Sequence, residues 1–351
     1  MAHEVTAEEL PESRYDDWVR LVSGSPEGSI YALPRYLQAL CRAAGGRYSI
    51  LGVRRGDQLA GGVAVYEQSS RYGPFVAPRP LLYYNGIVLQ RYDTRYPSEQ
   101  TSRHLRTLEA LESALTKRGY ARMTLASRSS FHDVRPFLAA GWTAAPRYSY
   151  LVPLADLEQL WGRVEQNLRR LVKRCEKDGM QVVEDDDFGA FFRLHSSIME
   201  RREQEQYLPE SAFRAFFDEL RGEGLCRLFH ARMPDGRAIA SQLILLGPSP
   251  VCHFAAAATD PEHLRSGVSA LLRWKSFEVL SKSGFQAVDL TDAALNPVTH
   301  FKSQLGGDLG LTLLLEAPQS RAYRAGTAAK RLLQETRRLL ARNGPASRER
   351  R

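Results

Sequence analysis

Two α/β domains in tandem, each a mixed and mostly antiparallel sheet flanked by helices, are predicted here by chain length, an internal repeat and a helical insertion between the repeats. The chain has 351 residues, more than one ordinary hydrophobic core accommodates. With 43% hydrophobic and 25% charged residues, it can fill two cores and keep a solvated surface. No stretch approaches the roughly 18 consecutive apolar residues of a membrane-spanning helix.

The repeat is read element by element. Tyr48 to Tyr66 reads as strand, tight turn at Gly56-Asp57, strand, because apolar and β-branched residues flank the turn on both sides. Its counterpart runs from Cys226 through Pro234-Asp235-Gly236 to Leu246. A further apolar strand follows in each half, Leu81 to Leu89 and Val251 to Ala258. Then come amphipathic helices, one with Leu105, Leu108, Leu111 and Leu115 inward, the other with Leu271, Leu272, Phe277 and Leu280. They stop at Gly119 and Gly284, the residue type that most readily takes the left-handed turn past a helix end. Strands Ala121 to Leu125 and Gln286 to Leu290 follow. Each half closes with a short helix, glycine and a last strand, Arg147 to Val152 and Leu311 to Leu315.

Between the repeats, Trp161, Val164, Leu168, Leu171 and Cys175 recur at helical spacing, with Arg163, Arg169, Arg170, Lys173, Arg174 and Lys177 opposite. Helices around Phe188–Glu203 and Glu210–Leu220 join this basic helix to the second hairpin, and Arg321–Arg342 reads as a final helix before a solvated tail. The expected division is 1–155 for the first domain, 156–318 for the second, opening with the basic helix, and 319–351 for the terminal helix and tail.

This order of elements resembles the core of the GNAT acyltransferase fold, present twice. Asn167 to Gly179 is similar to the basic helix that opens the second domain of FemAB-like transferases, and Asp289-Leu-Thr-Asp292 with Phe301-Lys302-Ser-Gln-Leu-Gly306-Gly307 is similar to that family's closing motif. The resemblance implies an acyltransferase, N-acetyl or aminoacyl, acting on an amine or hydroxyl of a cell-envelope or exopolysaccharide precursor. FemAB-like enzymes move amino acids from aminoacyl-tRNA onto peptidoglycan precursors, and tandem relatives are linked as acetyltransferases to exopolysaccharide synthesis. It implies acyl-CoA or aminoacyl-tRNA as co-substrate, with no tightly bound cofactor and no metal. One departure concerns the Arg/Gln-x-x-Gly-x-Gly/Ala loop, whose backbone N–H groups cradle the CoA pyrophosphate at a helix N-terminus. Here the region reads Leu264-Arg265-Ser266-Gly267-Val268-Ser269, with Leu where Arg or Gln stands in the family. Arg265, Ser266 and Gly267 remain the candidates for a donor loop, and the first half has no glycine at the matching place.

Direct attack by an acceptor amine on an activated carbonyl needs orientation, an oxyanion stabiliser and a route for the proton. Lys302 beside two glycines is the first candidate for the charge, against the reading of an ordinary surface lysine with a buried stem. Asp289 and Asp292 end a strand, where α/β enzymes place ligand groups, and either orients or deprotonates an acceptor or caps the next helix. Arg169, Arg170 and Lys173 grip a phosphate-rich substrate, or form a solvated face. Tyr83, Tyr84 and Asn85 line an acceptor cleft between the halves or pack a core. His300 beside Lys302 is a candidate proton acceptor, whereas a structural role suits His253.

Net charge of +8 and a pI of about 9.4 favour anionic partners: a small-molecule, lipid-linked or nucleotide-linked glycan precursor, tRNA, or peripheral contact with the inner membrane face, but not DNA. The acidic N-terminus lacks an apolar signal core, so a cytoplasmic location is expected. The four scattered cysteines read as buried small hydrophobes. No nucleophile elbow, Walker loop or zinc-ligand spacing appears. The rival readings are a catalytically inactive tandem scaffold that binds polysaccharide-synthesis partners, and a plain RNA binder, which lacks any recognised RNA module.

Overall fold

The computed structural model describes residues 5–248 and 250–329. The first half runs β1 (Val5–Glu9), α1 (Tyr15–Gly24), α2 (Pro34–Ala44), β2 (Arg47–Arg55), β3 (Gln58–Ser70), β4 (Gly73–Val76), β5 (Ile87–Leu89), α3 (Pro97–Lys117), β6 (Arg122–Ala126), α4 (Arg135–Ala139) and β7 (Thr143–Pro153). The second runs α5 (Leu157–Arg163), α6 (Gln166–Lys177), β8 (Gln181–Glu184), α7 (Phe188–Arg201), α8 (Glu210–Gly222), β9 (Cys226–Arg232), β10 (Ala238–Leu245), β11 (Val251–Thr259), α9 (Val268–Lys282), β12 (Ala287–Asp289), α10 (Pro297–Ser303) and β13 (Asp308–Glu316). The expected hairpins are β2–β3 and β9–β10, both antiparallel. The repeated helices are α3 and α9, each followed by a glycine at positive φ, Gly119 at 63° and Gly284 at 88°.

Two expectations are corrected. The strand read over Leu81–Leu89 is ordered as strand only at Ile87–Leu89. Upstream, Leu81 sits at φ 65° and Arg79 bridges Leu82, so the tyrosine segment is a loop stepping over the sheet edge. The single basic helix is two, α5 and α6, because Val164 adopts an extended ψ of 134° between them. Residues 321–329 are helical; the rest of the helix expected to Arg342, and the tail, lie outside the described residues.

All the strands belong to one sheet, in the order β1-β2-β3-β4-β6-β13-β7-β12-β11-β10-β9-β8, with β5 paired to β3. The closing strands are exchanged. β13, from the second half, lies between β6 and β7 of the first, and β7 lies between β13 and β12 of the second. The two pair antiparallel with each other from Asp308↔Leu151 to Glu316↔Thr143. At a second junction α2 packs on α8, with Tyr36 edge-on to Phe216 at 5.7 Å between ring centroids and Arg42 paired with Glu219 at the surface. One buried cluster therefore takes residues from both halves, including Trp18, Tyr31, Leu37, Phe191, Phe213 and Leu245.

Within the second half, β11 and β12 run parallel only from Val251↔Ala287 to His253↔Asp289. β12 stops there while β11 continues to Thr259. At the same level the β10–β11 register slips between Leu243 and Ile244, bulging Ala255. The strands diverge beyond His253 and Asp289, and this gap positions the candidate site.

Candidate functional site at the divergence of two parallel strands

Asp289 ends β12 and is buried. Its Oδ2 accepts from the Tyr84 hydroxyl at 2.9 Å, and its Oδ1 accepts from the Ser149 hydroxyl and from Thr291 N–H at 2.7 Å. Tyr84 and Ser149, the latter on the exchanged β7, belong to the first half and Thr291 to the second, so both halves build the environment of this carboxylate. Burial and the neighbouring Asp289 hold the Tyr84 phenol well above its ordinary pKa, so Tyr84 stays a donor. His253 packs against Tyr84 and Tyr31, with ring centroids 5.8 and 5.1 Å away. Burial lowers the His253 pKa to about 4, which leaves it a neutral ring at neutral pH.

Beyond Asp289 the chain turns through Thr291 and Asp292, at φ 47° and 38°. A left-handed conformation is uncommon for any residue with a side chain and strained for a β-branched one. Its effect is visible in Lys302. The Lys302 ammonium, reaching back from α10, donates to the carbonyl oxygens of Thr291 and of Asp292, the latter at 2.6 Å. Thr291 is fixed by donating its hydroxyl to Phe254 O across the gap at 2.9 Å. Burial lowers the Lys302 pKa to about 8, with Asp292 pulling upward and Arg273 downward. The Asp292 side chain is exposed. The two carboxylates are thus unlike: Asp289 is enclosed and hydrogen-bonded, Asp292 reachable from solvent beside the lysine.

The other candidates scatter. Tyr83 donates its hydroxyl to Ala255 O at the bulge, 2.7 Å away, so it lines the same region. Asn85 does not: its amide donates to Thr124 O at 3.0 Å and accepts from Ala126 N–H at 2.8 Å, completing the edge of β6 as a missing strand residue would. His300 is exposed, its ring against Gln304 on α10. On α6, Arg170 and Lys173 are exposed and Arg169 is half-buried. Inward are Leu168, Val172 and Cys175, with Leu171 only partly buried. Arg174 donates to Ser266 O, fastening α6 to the loop before α9.

In that loop, Gly267 sits at φ 95°, and a Cβ there would lie 2.7 Å from Leu171 Cβ. Glycine is therefore required by the close approach of α6 as well as by its backbone. Arg265 is exposed, and the Ser266 hydroxyl accepts from Val268 N–H at 3.2 Å as α9 begins. Cys175, Cys226 and Cys252 are buried, and burial raises the thiol pKa of Cys226 to about 12.

Sequence reasoning missed Ser149, Gln242 and Arg273. Ser149 had no signal, because its role depends on the strand exchange. Arg273 could have been noticed as a charge on the apolar face of α9.

Residues 162–303 match the family described as Acetyltransferase (GNAT) domain. Among solved structures, FemX aligns at a TM-score of 0.67 and 12% identity, covering 88% of this chain and 96% of its own. A tandem GNAT protein from the clavulanic acid biosynthesis pathway aligns at 0.55 and 14%, covering 90% and 99%. The C-terminal domain of a putative lysylphosphatidylglycerol synthetase from Agrobacterium fabrum aligns at 0.54 and 13%, covering 84% and 91%. No curated protein matches the sequence. Residues 162–303 thus carry the match to a GNAT acetyltransferase domain, and the chain as a whole shares its fold with FemX and with the tandem GNAT protein. Among the described residues, no helix is long and apolar enough to cross a membrane.

Proposed function

We propose that the protein is an acyltransferase that moves an acyl or aminoacyl group from acyl-CoA or aminoacyl-tRNA to an amine or hydroxyl of an anionic cell-envelope or exopolysaccharide precursor. The observation that carries this reading is Lys302, a cation held by two left-handed carbonyls between an enclosed and an exposed carboxylate. In the reaction the acceptor nitrogen or oxygen bonds to the acyl carbon, and the tetrahedral oxyanion collapses with loss of thiolate or of the tRNA hydroxyl. Asp292 takes the acceptor's proton. Lys302 stabilises the oxyanion and, with a pKa near 8, returns a proton to the leaving group. Asp289 acts through Tyr84 and Ser149, positioning the wall of the acceptor cleft. The exposed Arg170 and Lys173 supply the long-range attraction for a phosphate-bearing substrate.

Of the two donors, aminoacyl-tRNA is favoured by the loop before α9, where glycine has a packing reason and Leu264 replaces the expected Arg or Gln. Such donors place the protein in the cytoplasm, with the inner membrane face accessible for lipid-linked acceptors. Thermal-shift screening against CoA thioesters, aminoacyl-tRNA and nucleotide-linked sugars, followed by transfer assays on the wild type and Lys302→Ala, tests the reading. Donor binding with transfer lost in Lys302→Ala supports it. Full activity in that variant removes Lys302 from the chemistry, and no donor binding at all leaves the inactive scaffold.

A further inference from the structure

Arg273 extends from α9 onto the face of β10 and β11 that carries Gln242 and Phe254. Its guanidinium lies 4.9 Å from the Phe254 ring centroid and donates to Gln242 Oε1. Gln242 is fully buried and immobilised, its amide nitrogen donating to Leu243 O at 2.7 Å and to Ala256 O at 3.0 Å. The guanidinium is thereby fixed on one edge and one face. It has five N–H donors, and the one hydrogen-bond acceptor assigned to it is Gln242 Oε1. Among the described residues no carboxylate forms an ion pair with it, and burial alone lowers its pKa to about 9. Yet the side chain retains partial solvent access.

A desolvated guanidinium without a counter-ion is costly, and a rigid mount for it has no folding purpose that an apolar side chain would not serve better. The position of Arg273 gives the reason. Phe254 belongs to the cluster on the α9 side, while His253 packs on the tyrosines opposite and faces Asp289, as the strand pleat requires. Arg273 and the carboxylate network thus lie on opposite faces of the gap between β11 and β12. Lys302, at its rim, feels the charge of Arg273 as well as those of Asp289 and Asp292.

We propose that Arg273 binds a phosphoryl group of the substrate that enters this gap, with Lys302 as the second cation. Two cations from different helices match a group whose negative charge is spread over several oxygens, whereas a carboxylate would be satisfied by the arginine fork alone. The bound phosphoryl group would hold the reacting end of the substrate over the gap, facing the Asp289 network. This assignment rests on the reading of Lys302 as part of the transfer site.

The test uses the full chain with inorganic phosphate as probe and sodium acetate as the carboxylate control, at constant ionic strength. Phosphate should raise the Tm in a concentration-dependent way, and acetate should not. Arg273→Gln should weaken phosphate binding by about tenfold or more, with a phosphate-free Tm equal to or above that of the wild type. Arg273→Lys, which keeps the charge and loses the fork, should bind phosphate with intermediate affinity; this variant decides if Arg273→Gln does not fold. A wild-type response to phosphate in the decisive variant overturns the assignment, and an equal response of the wild type to acetate overturns the choice of a phosphoryl group. The two readings separate cleanly. Phosphate binding lost in Arg273→Gln with transfer intact in Lys302→Ala sinks only the transfer mechanism, and the converse sinks only the role of Arg273.

Discussion

Replacing Lys302 by methionine should abolish transfer and change stability in a pH-dependent way whose sign follows from the site. The Lys302 ammonium titrates near 8 in the fold against an ordinary 10.5. Folding therefore disfavours its charged form by about 3 kcal/mol, and by about 2 after allowing for the part of the side chain still in water. Because the folded pKa is the lower one, this cost is fully present below pH 8 and fades as pH rises towards 10.5. Methionine removes the cost together with the two hydrogen bonds to Thr291 and Asp292, each contributing about 1 kcal/mol at any pH. The lost bonds shift the comparison by a constant, so the proton-linked part is isolated by measuring urea unfolding of both proteins at about pH 7 and pH 10. The stability of Lys302→Met relative to wild type should fall by about 2 kcal/mol between those pH values. Transfer should drop by about 10²- to 10³-fold, the range for loss of one oxyanion-stabilising group. A stability difference that is flat with pH would refute the reasoning, because Lys302 would then be a solvated lysine whose charge the fold does not perturb.

Tyr84→Phe, which deletes the donor to Asp289 Oδ2, should destabilise by about 1–2 kcal/mol and lower kcat more than it raises KM; unchanged kinetics would make the Asp289 network purely structural. Gly267→Ala places a methyl 2.7 Å from Leu171 Cβ at φ 95°, so it should cost about 2 kcal/mol or more in unfolding experiments, and a neutral result would mean that α6 is not seated on α9 as described. Arg170→Glu combined with Lys173→Glu should leave the Tm nearly unaltered, since both side chains are exposed, and should raise KM for the phosphate-bearing substrate with a weaker dependence on salt. If wild-type KM is the same at low and physiological salt, this face has no electrostatic role.

The parts legible in the sequence were those governed by short-range periodicity. The hairpins around Gly56 and Gly236, and the helices stopped at Gly119 and Gly284, follow from patterns contained within each segment, and all four are present. The Asp289–Asp292 and Lys302 motifs were picked out by their resemblance to the closing motif of FemAB-like transferases, and the fold joins them through the Lys302 ammonium at the Thr291 and Asp292 carbonyls. Tyr83 and Tyr84 were placed on a strand because aromatic and apolar residues dominate that segment; the loop that carries them instead is stabilised by the first-half core, through Tyr36 donating to Leu81 O, a contact 45 residues away in sequence. The helices α1 and α2 were not read at all, although Trp18, Tyr36 and Leu37 make them part of the joint core. Arg273 was passed over although it stands four and seven residues before the inward Phe277 and Leu280, a spacing that puts its charge on the apolar face of α9. Cross-strand partners leave no periodic trace in a sequence, and the exchange of β7 and β13 was invisible for that reason.

That exchange governs how the chain can be made. Thr124 on β6 meets Glu316 on β13 across 192 residues of sequence, so β6 cannot gain this second neighbour until those residues have been synthesised. At about 5–20 residues per second, the first half waits roughly ten seconds or more on the ribosome with β6 open along one edge and β7 without either of its neighbours. An open edge of that kind is what recruits foreign strands. Pairings this distant also slow closure of the sheet, because the intervening chain must be ordered before the contact stabilises anything. A fragment ending near residue 155 should therefore collapse or aggregate, while fragments 1–155 and 156–351 produced together should find each other through their reciprocal strands. The two halves repeat one order of elements, yet each takes neighbours for its strands from the other.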